Sequence, residues 1–164
     1  MNLVRPGYST SSVGRRVNAL MLSIRPKYAG RIFDGTKSVE LRRLRPRVSM
    51  GDIVVIYVSA PIGAVLGSAK VGCVLEDRPT RLWKSVGAQC GLTRAEFASY
   101  FSGVTMGFGI VLHDPFRREK PVTLQQLQRD MPKFRPPQGY KYLREDLPHD
   151  RLILAAAQPR RQRP

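Results

Sequence analysis

With 164 residues, 42% of them hydrophobic, the chain can bury one ordinary core and is too apolar for a disordered polyelectrolyte. Its 28 Lys and Arg against 12 Asp and Glu leave a formal charge of +16, an extreme value that speaks about partners rather than fold. No run approaches the ~18 to 20 apolar residues of a membrane span, and two cysteines and two histidines are too scattered for a zinc site.

Such a charge favours a polyanion. Nucleic acid comes first, because phosphates release counterions when Lys and Arg bind them. An anionic membrane surface comes second, with no basic amphipathic helix to support it. A general adaptation for solubility is the remaining reading. No metal and no cofactor are expected. Cys73 and Cys90 read as buried or idle thiols of a reducing compartment, which places the chain in the cytoplasm.

In chain order, residues 1–18 are rich in Ser, Gly and Arg without periodicity, and are expected to form a flexible basic arm with no secretory core. Residues 19–24 predict a buried strand. Pro26 suits the first position of a helix whose apolar face is Ala29, Ile32 and Phe33, and Gly35 suits its left-handed end. A charged strand is predicted over 36–43. The nearly all-apolar, β-branched run 53–58 predicts a strand covered on both faces. Another strand is predicted over 63–76, with Gly63, Gly67 and Gly72 marking the bends and close contacts of a small barrel.

Two helices follow. Leu82, Trp83 and Val86 share a face of the first. The second starts at a capping box, Thr93 with Glu96, stapled by Leu92 against Phe97. Its aromatic stripe, Phe97, Tyr100 and Phe101, is taken as core. Residues 108–112 predict a strand, and Thr123 with Gln126 a second capping box with Leu124 and Leu127 facing inward. A closing strand over 138–144 alternates aromatic or apolar with polar. The domain is read as 19–150, followed by a basic tail over 151–164. Strands interrupted by short helices predict an α+β fold, a small mixed-topology β-barrel with short helices packed around it.

The segment from Gly35 to Arg42 carries the most chemical information. As a strand it would send Lys37, Val39 and Leu41 one way and Ser38, Glu40 and Arg42 the other. Arg25, Lys27, Arg31, Arg42, Arg43, Arg45 and Arg47 surround its single acid. One carboxylate amid so many cations implies a defined pocket rather than a plain electrostatic stripe.

Four segments in order resemble the ASCH domain family of the PUA-like superfamily. They are Leu22 to Tyr28, Gly35 to Arg42, the strand start Gly51-Asp52, and Arg135 to Leu143. The signature Gly-x-Lys-x-x-Glu-x-Arg is met by Gly35, Lys37, Glu40 and Arg42. The resemblance implies a PUA-like β-barrel with a cleft lined by these residues, and RNA as partner. Some members resemble an N4-acetylcytidine amidohydrolase that uses the signature Lys, a Thr three residues on, and a Glu in the helical region. Another member type is described as a ribonuclease. Here Lys37 is present, Glu40 stands at the Thr position, and Gln89, Cys90 and Gly91 stand near the expected Glu, so that mechanism is in doubt.

Two roles for Glu40 remain. As catalysts, Glu40 would be a general base beside Lys37, whose pKa its neighbouring cations would lower. As a clamp, Glu40 would be held ionised and would orient Arg42 or Lys37. The reading adopted is an RNA-binding cleft of Ser23, Arg25, Lys27, Lys37, Glu40, Arg42, Arg43 and Tyr140. A hydrolase on RNA or a modified nucleoside is the alternative, and a DNA-binding regulator a third. Phe134 with Arg135, and Tyr140, Lys141 and Tyr142 with Arg144, combine rings with cations as single-strand binders do, while strand alternation equally allows Tyr140 and Tyr142 to be core.

Overall fold

The computed structural model describes residues 19–159, so the expected arm 1–18 and residues 160–164 of the expected tail lie outside the described residues. The strand β1 (Ala19–Ile24) pairs parallel with β3 (Ile53–Val58) and antiparallel with β6 (Tyr140–Leu143). Parallel neighbours need a crossover. It is filled by the helix α1 (Pro26–Phe33) and by β2 (Val39–Arg42), which leaves to pair at the far edge of the sheet. With β4 (Ala64–Asp77) and β5 (Gly107–Thr123), the order is β2-β5-β4-β3-β1-β6, a mixed sheet curled into a half-barrel.

The curl has a local cause. The long antiparallel ribbon of β4 and β5 shifts register at three places, and bulges of this kind coil a ribbon. At Gly67 a Cβ would overlap the Phe116 carbonyl, so only glycine lets the two backbones come together there. Curling brings the opposite sheet edges into reach. The Arg42 guanidinium, at the end of β2, lies 5.8 Å from the Tyr140 ring at the start of β6.

Period two sorts the core. Leu20, Leu22, Ile24, Val54, Ile56 and Val58 enter one cluster with Ala29 and Ile32 of α1. Met21, Val55 and Tyr57 enter another on the opposite face, with α4 (Leu124–Asp130) and α5 (Pro148–Ala157). Burial on both faces explains why these two strands read as continuous apolar runs. A third cluster joins Val39 and Leu41 of β2 to α2 (Pro79–Val86) and α3 (Arg94–Tyr100) through Leu82, Val86, Phe97 and Phe101. Both capping boxes form: the Thr93 hydroxyl accepts from Glu96 N, and the Thr123 hydroxyl from Gln126 N. Among the described residues no helix is long and apolar enough to cross a membrane.

Three elements differ from the sequence reading. The strand predicted over 108–112 continues to Thr123, because β4 pairs with it along its length while Arg117, Glu119 and Lys120 stay exposed. Backbone pairing there needs no apolar alternation, so the pattern gave no sign of it. Residues 151–157, read as the start of a basic tail, are helical, and Ile153, Leu154 and Ala157 are buried. The charged strand predicted over 36–43 is shorter, Val39–Arg42, with Lys37 and Ser38 ahead of it.

Candidate functional site

The turn after α1 sets up the site. Gly35 takes φ 83°, and the Asp34 carboxylate accepts from both the Thr36 amide and hydroxyl, so the chain reverses tightly into residues 36–38. These bonds, the hydroxyl's first, hold the Asp34 carboxyl below its ordinary pKa. Ser38 and Val39 then donate their amides to Gln89 O, tying the start of β2 to the loop after α2.

Although Lys37 precedes the strand, it keeps the expected alternation and is buried on the side of Val39 and Leu41. Its side chain is 2% exposed, and its ammonium donates to Val39 O at 2.8 Å and Cys90 O at 2.6 Å, with Glu40 Oε2 at 3.2 Å. A lysine has three N–H donors, and three oxygens meet them here. Lys37 was expected to contact phosphate or base; instead all its donors are spent inside the protein. The region expected to hold a catalytic Glu contributes only the backbone carbonyls of Gln89 and Cys90 around it.

Glu40, 13% exposed, is gripped from both sides, since Arg42 Nη2 donates to its Oε1 at 3.0 Å. Arg42 is 12% exposed, rests against the Tyr140 ring, and among the described residues its Nε has no hydrogen-bond partner. A buried N–H without an acceptor is costly, and this atom is closed off from the cleft, so the cost is carried by the ion pair that the same guanidinium makes with Glu40. Tyr140 itself packs against the core and, edge-on, against Tyr142 at 5.5 Å. Burial, then Tyr142, raises its hydroxyl pKa.

Lys37, Glu40 and Arg42 form the floor of an open cleft of about 620 Å³, whose lining does not include Tyr140. Ser23, Arg25 and Tyr28 line one side, and Leu92, Ala95, Glu96, Ser99 and Tyr100 of the α3 region the other. The volume is that of a small-ligand site. Ser23 donates its hydroxyl to Pro137 O, which fixes the approach to β6 along the cleft. Arg25, exposed at the rim, has no side-chain partner among the described residues.

Not all of the expected residues gather here. Lys27 lies outside the lining and pairs with Glu96 at 3.0 Å. Arg43 is exposed and donates to Ser102 O. Arg31 donates to Gly91 O and Arg45 pairs with Glu76, so the expected ring of cations reduces to Arg25 and Arg42 at the cleft. Glu96 keeps its capping task, and the Thr93 amide, then Lys27, pull its pKa from 4.5 to about 2. Among the described residues, no three His, Cys, Asp or Glu side chains form a set fit to hold a metal.

The sequence reading missed Tyr28, Ser99 and Tyr100. Tyr100 was assigned to the core with its aromatic neighbours, and it does pack there, edge-on to Phe101 at 4.9 Å. Phe97 and Phe101 are buried, but Tyr100 is only half-buried and turns its ring to the cleft, donating its hydroxyl to Leu41 O at 3.1 Å. Burial raises its pKa, with Arg42 acting against that. A tyrosine among phenylalanines in the stripe was the available signal.

Comparison with known proteins places this geometry. The ASCH domain model matches residues 22–116, which include every residue of the floor. An ASCH domain-containing ribonuclease of Zymomonas mobilis is 30% identical over 128 residues, covering 77% of this chain and 84% of the relative. The crystal structure of ASCH from Zymomonas mobilis superposes with a TM-score of 0.76 at 27% identity, over 84% of this chain and 93% of that one. A variant of that protein gives 0.75 at 26% identity, over 84% and 96%. With the signature residues at the base of a cleft on a curled mixed sheet, the chain belongs to the ASCH domain family, within the PUA-like superfamily.

Proposed function

We propose that this protein acts on RNA and cleaves its phosphodiester chain in the Glu40 cleft. The observation that carries the reading is a carboxylate fixed between two buried cations at the floor of an open, base-sized site. The charge of +16 supplies the attraction to a polyanion, and the ribonuclease relative supplies the reaction class.

In this reading Lys37 is a positioning residue. It holds the Glu40 carboxylate in place while touching no substrate. Glu40 keeps lone pairs beyond those given to Lys37 and Arg42, and accepts the proton of the attacking 2′-hydroxyl. That oxygen bonds to the adjacent phosphorus, the bond to the 5′-oxygen breaks, and the leaving oxygen takes a proton from water in the open cleft. Arg25, exposed at the rim, meets the charge that develops on the phosphoryl oxygens. The substrate needs a 2′-hydroxyl, so RNA is cleaved and DNA of the same sequence is not.

A second reading, binding without turnover, is favoured by the double ion pair on Glu40, which already engages both of its carboxylate oxygens. Incubation with end-labelled RNA separates the two. Cleavage that stops with Glu40→Gln while affinity persists supports the hydrolase; binding with intact RNA supports the module.

A further inference from the structure

On the other face of the sheet lies a second pocket of about 620 Å³, lined by Met131, Lys133, Phe134, Arg135, Lys141 and His149, with Pro132 and Ile153. Lys141 is on β6 between Tyr140 and Tyr142, and alternation sends it away from the cluster those tyrosines join. It is paired with the buried Asp150 at 2.6 Å, whereas Lys133 and Arg135 have no acidic partner among the described residues. The Phe134 ring is half-buried against the apolar cluster below.

This pocket is firmly built. Phe134 N donates to Met131 O at 2.8 Å, and Phe134 O accepts from Gln128 Nε2 at 3.0 Å and Arg135 Nη1 at 2.9 Å. Three bonds fix the peptide that carries the ring, so little order need be gained on binding. Its place in the chain matters as much. Pro137 O accepts from Ser23 in the cleft, and Gly139 O accepts from Ser23 N. Arg135 is two residues from Pro137 and Phe134 three, a reach of at most ~11 Å along the backbone. Segment 134–139 therefore runs directly from the cleft to the second pocket, around the open edge at β6.

The geometry points to a second RNA subsite, where a base of the strand leaving the Glu40 cleft stacks on Phe134 while Lys133 and Arg135 take its flanking phosphates. This rests on the reading of the chain as RNA-acting, and adds that its substrate is single-stranded and extends several nucleotides past the scissile bond. Only an unpaired base can leave its strand to lie on a ring, and such stacking tolerates any base.

The test measures binding, so that it does not depend on cleavage. The full chain is titrated with fluorescein-labelled 2′-O-methyl RNA, as a dinucleotide and as a strand of about 12 nucleotides, a length within ordinary single-strand site sizes. Phe134→Ala is expected to weaken the long strand about tenfold and leave the dinucleotide unchanged, as loss of one stacked base requires. Lys133→Glu with Arg135→Glu, both exposed, gives the same selective loss and does not depend on the ring's packing. Equal weakening of both RNAs, or no weakening of either, overturns the subsite. Failure of the unaltered protein to bind either RNA overturns the RNA reading itself, a separate result.

Discussion

The Glu40 cleft and the Phe134 pocket are both basic, yet they use charge in opposite ways. In the cleft, Lys37 and Arg42 are nearly buried and committed to Glu40. In the pocket, Lys133 and Arg135 are exposed and have no acidic partner among the described residues, Arg135 giving only one N–H to the Phe134 carbonyl. A buried cation must be paired, because desolvation would otherwise exceed anything a ligand returns. An exposed cation costs nothing to leave free and is available to phosphate. The lesson is that a cation count measures affinity for RNA only after the buried, internally bonded ones are subtracted.

Experiments that break this contrast have different expected sizes. Replacing Glu40 by Gln keeps the shape and removes the proton acceptor. RNA cleavage is expected to fall about 10²- to 10⁴-fold, the usual contribution of a general base, with affinity little changed in an electrophoretic assay. Next is Lys37→Met, which removes one side of the buried ion cluster and leaves Val39 O and Cys90 O without a donor. Urea denaturation should show a loss of about 3 to 5 kcal/mol, the cost of breaking a buried pair from one side. An equal loss of RNA affinity with unchanged stability would mean that Lys37 touches substrate after all.

Smaller effects come from the surface. Arg25→Ala should reduce the slope of log affinity against log salt by about 1, since one phosphate contact is removed. Arg31→Ala, whose guanidinium is engaged by Gly91 O, should leave that slope unchanged. The smallest effect is acid-limb stability. Glu96 has its pKa depressed in the folded state, so its contribution is fully present above 4.5 and is lost as pH falls through about 2. Glu96→Gln should lower stability slightly at neutral pH and flatten that part of a stability-against-pH curve, with the two proteins converging below about 2.

The sequence made some elements plain and hid others for physical reasons. Runs such as residues 53–58 and the two capping boxes carry their structure locally, and both formed as read. The second half of β5 did not show itself. Its ladder depends on a distant partner strand, and its side chains are solvated. Residues 151–157 look like a tail because Arg151 and the arginines beyond mask a short apolar stripe. At the site, the motif residues Lys37, Glu40 and Arg42 do come together, and Ser23 and Arg25 join them. What composition concealed was orientation. Alternation did put Lys37 on the buried side with Val39 and Leu41, but nothing in the spacing tells that it ends on Cys90 O, that Arg45 finds Glu76, or that Tyr100, still packed against Phe101, also reaches the cleft.

The most direct test is cleavage of one end-labelled RNA, alongside DNA of the same sequence, by the unaltered protein and by Glu40→Gln. The account predicts shortened RNA and intact DNA with the first, and both polymers intact with the second. RNA left whole by the unaltered protein, or cut equally well without the carboxylate, would contradict it.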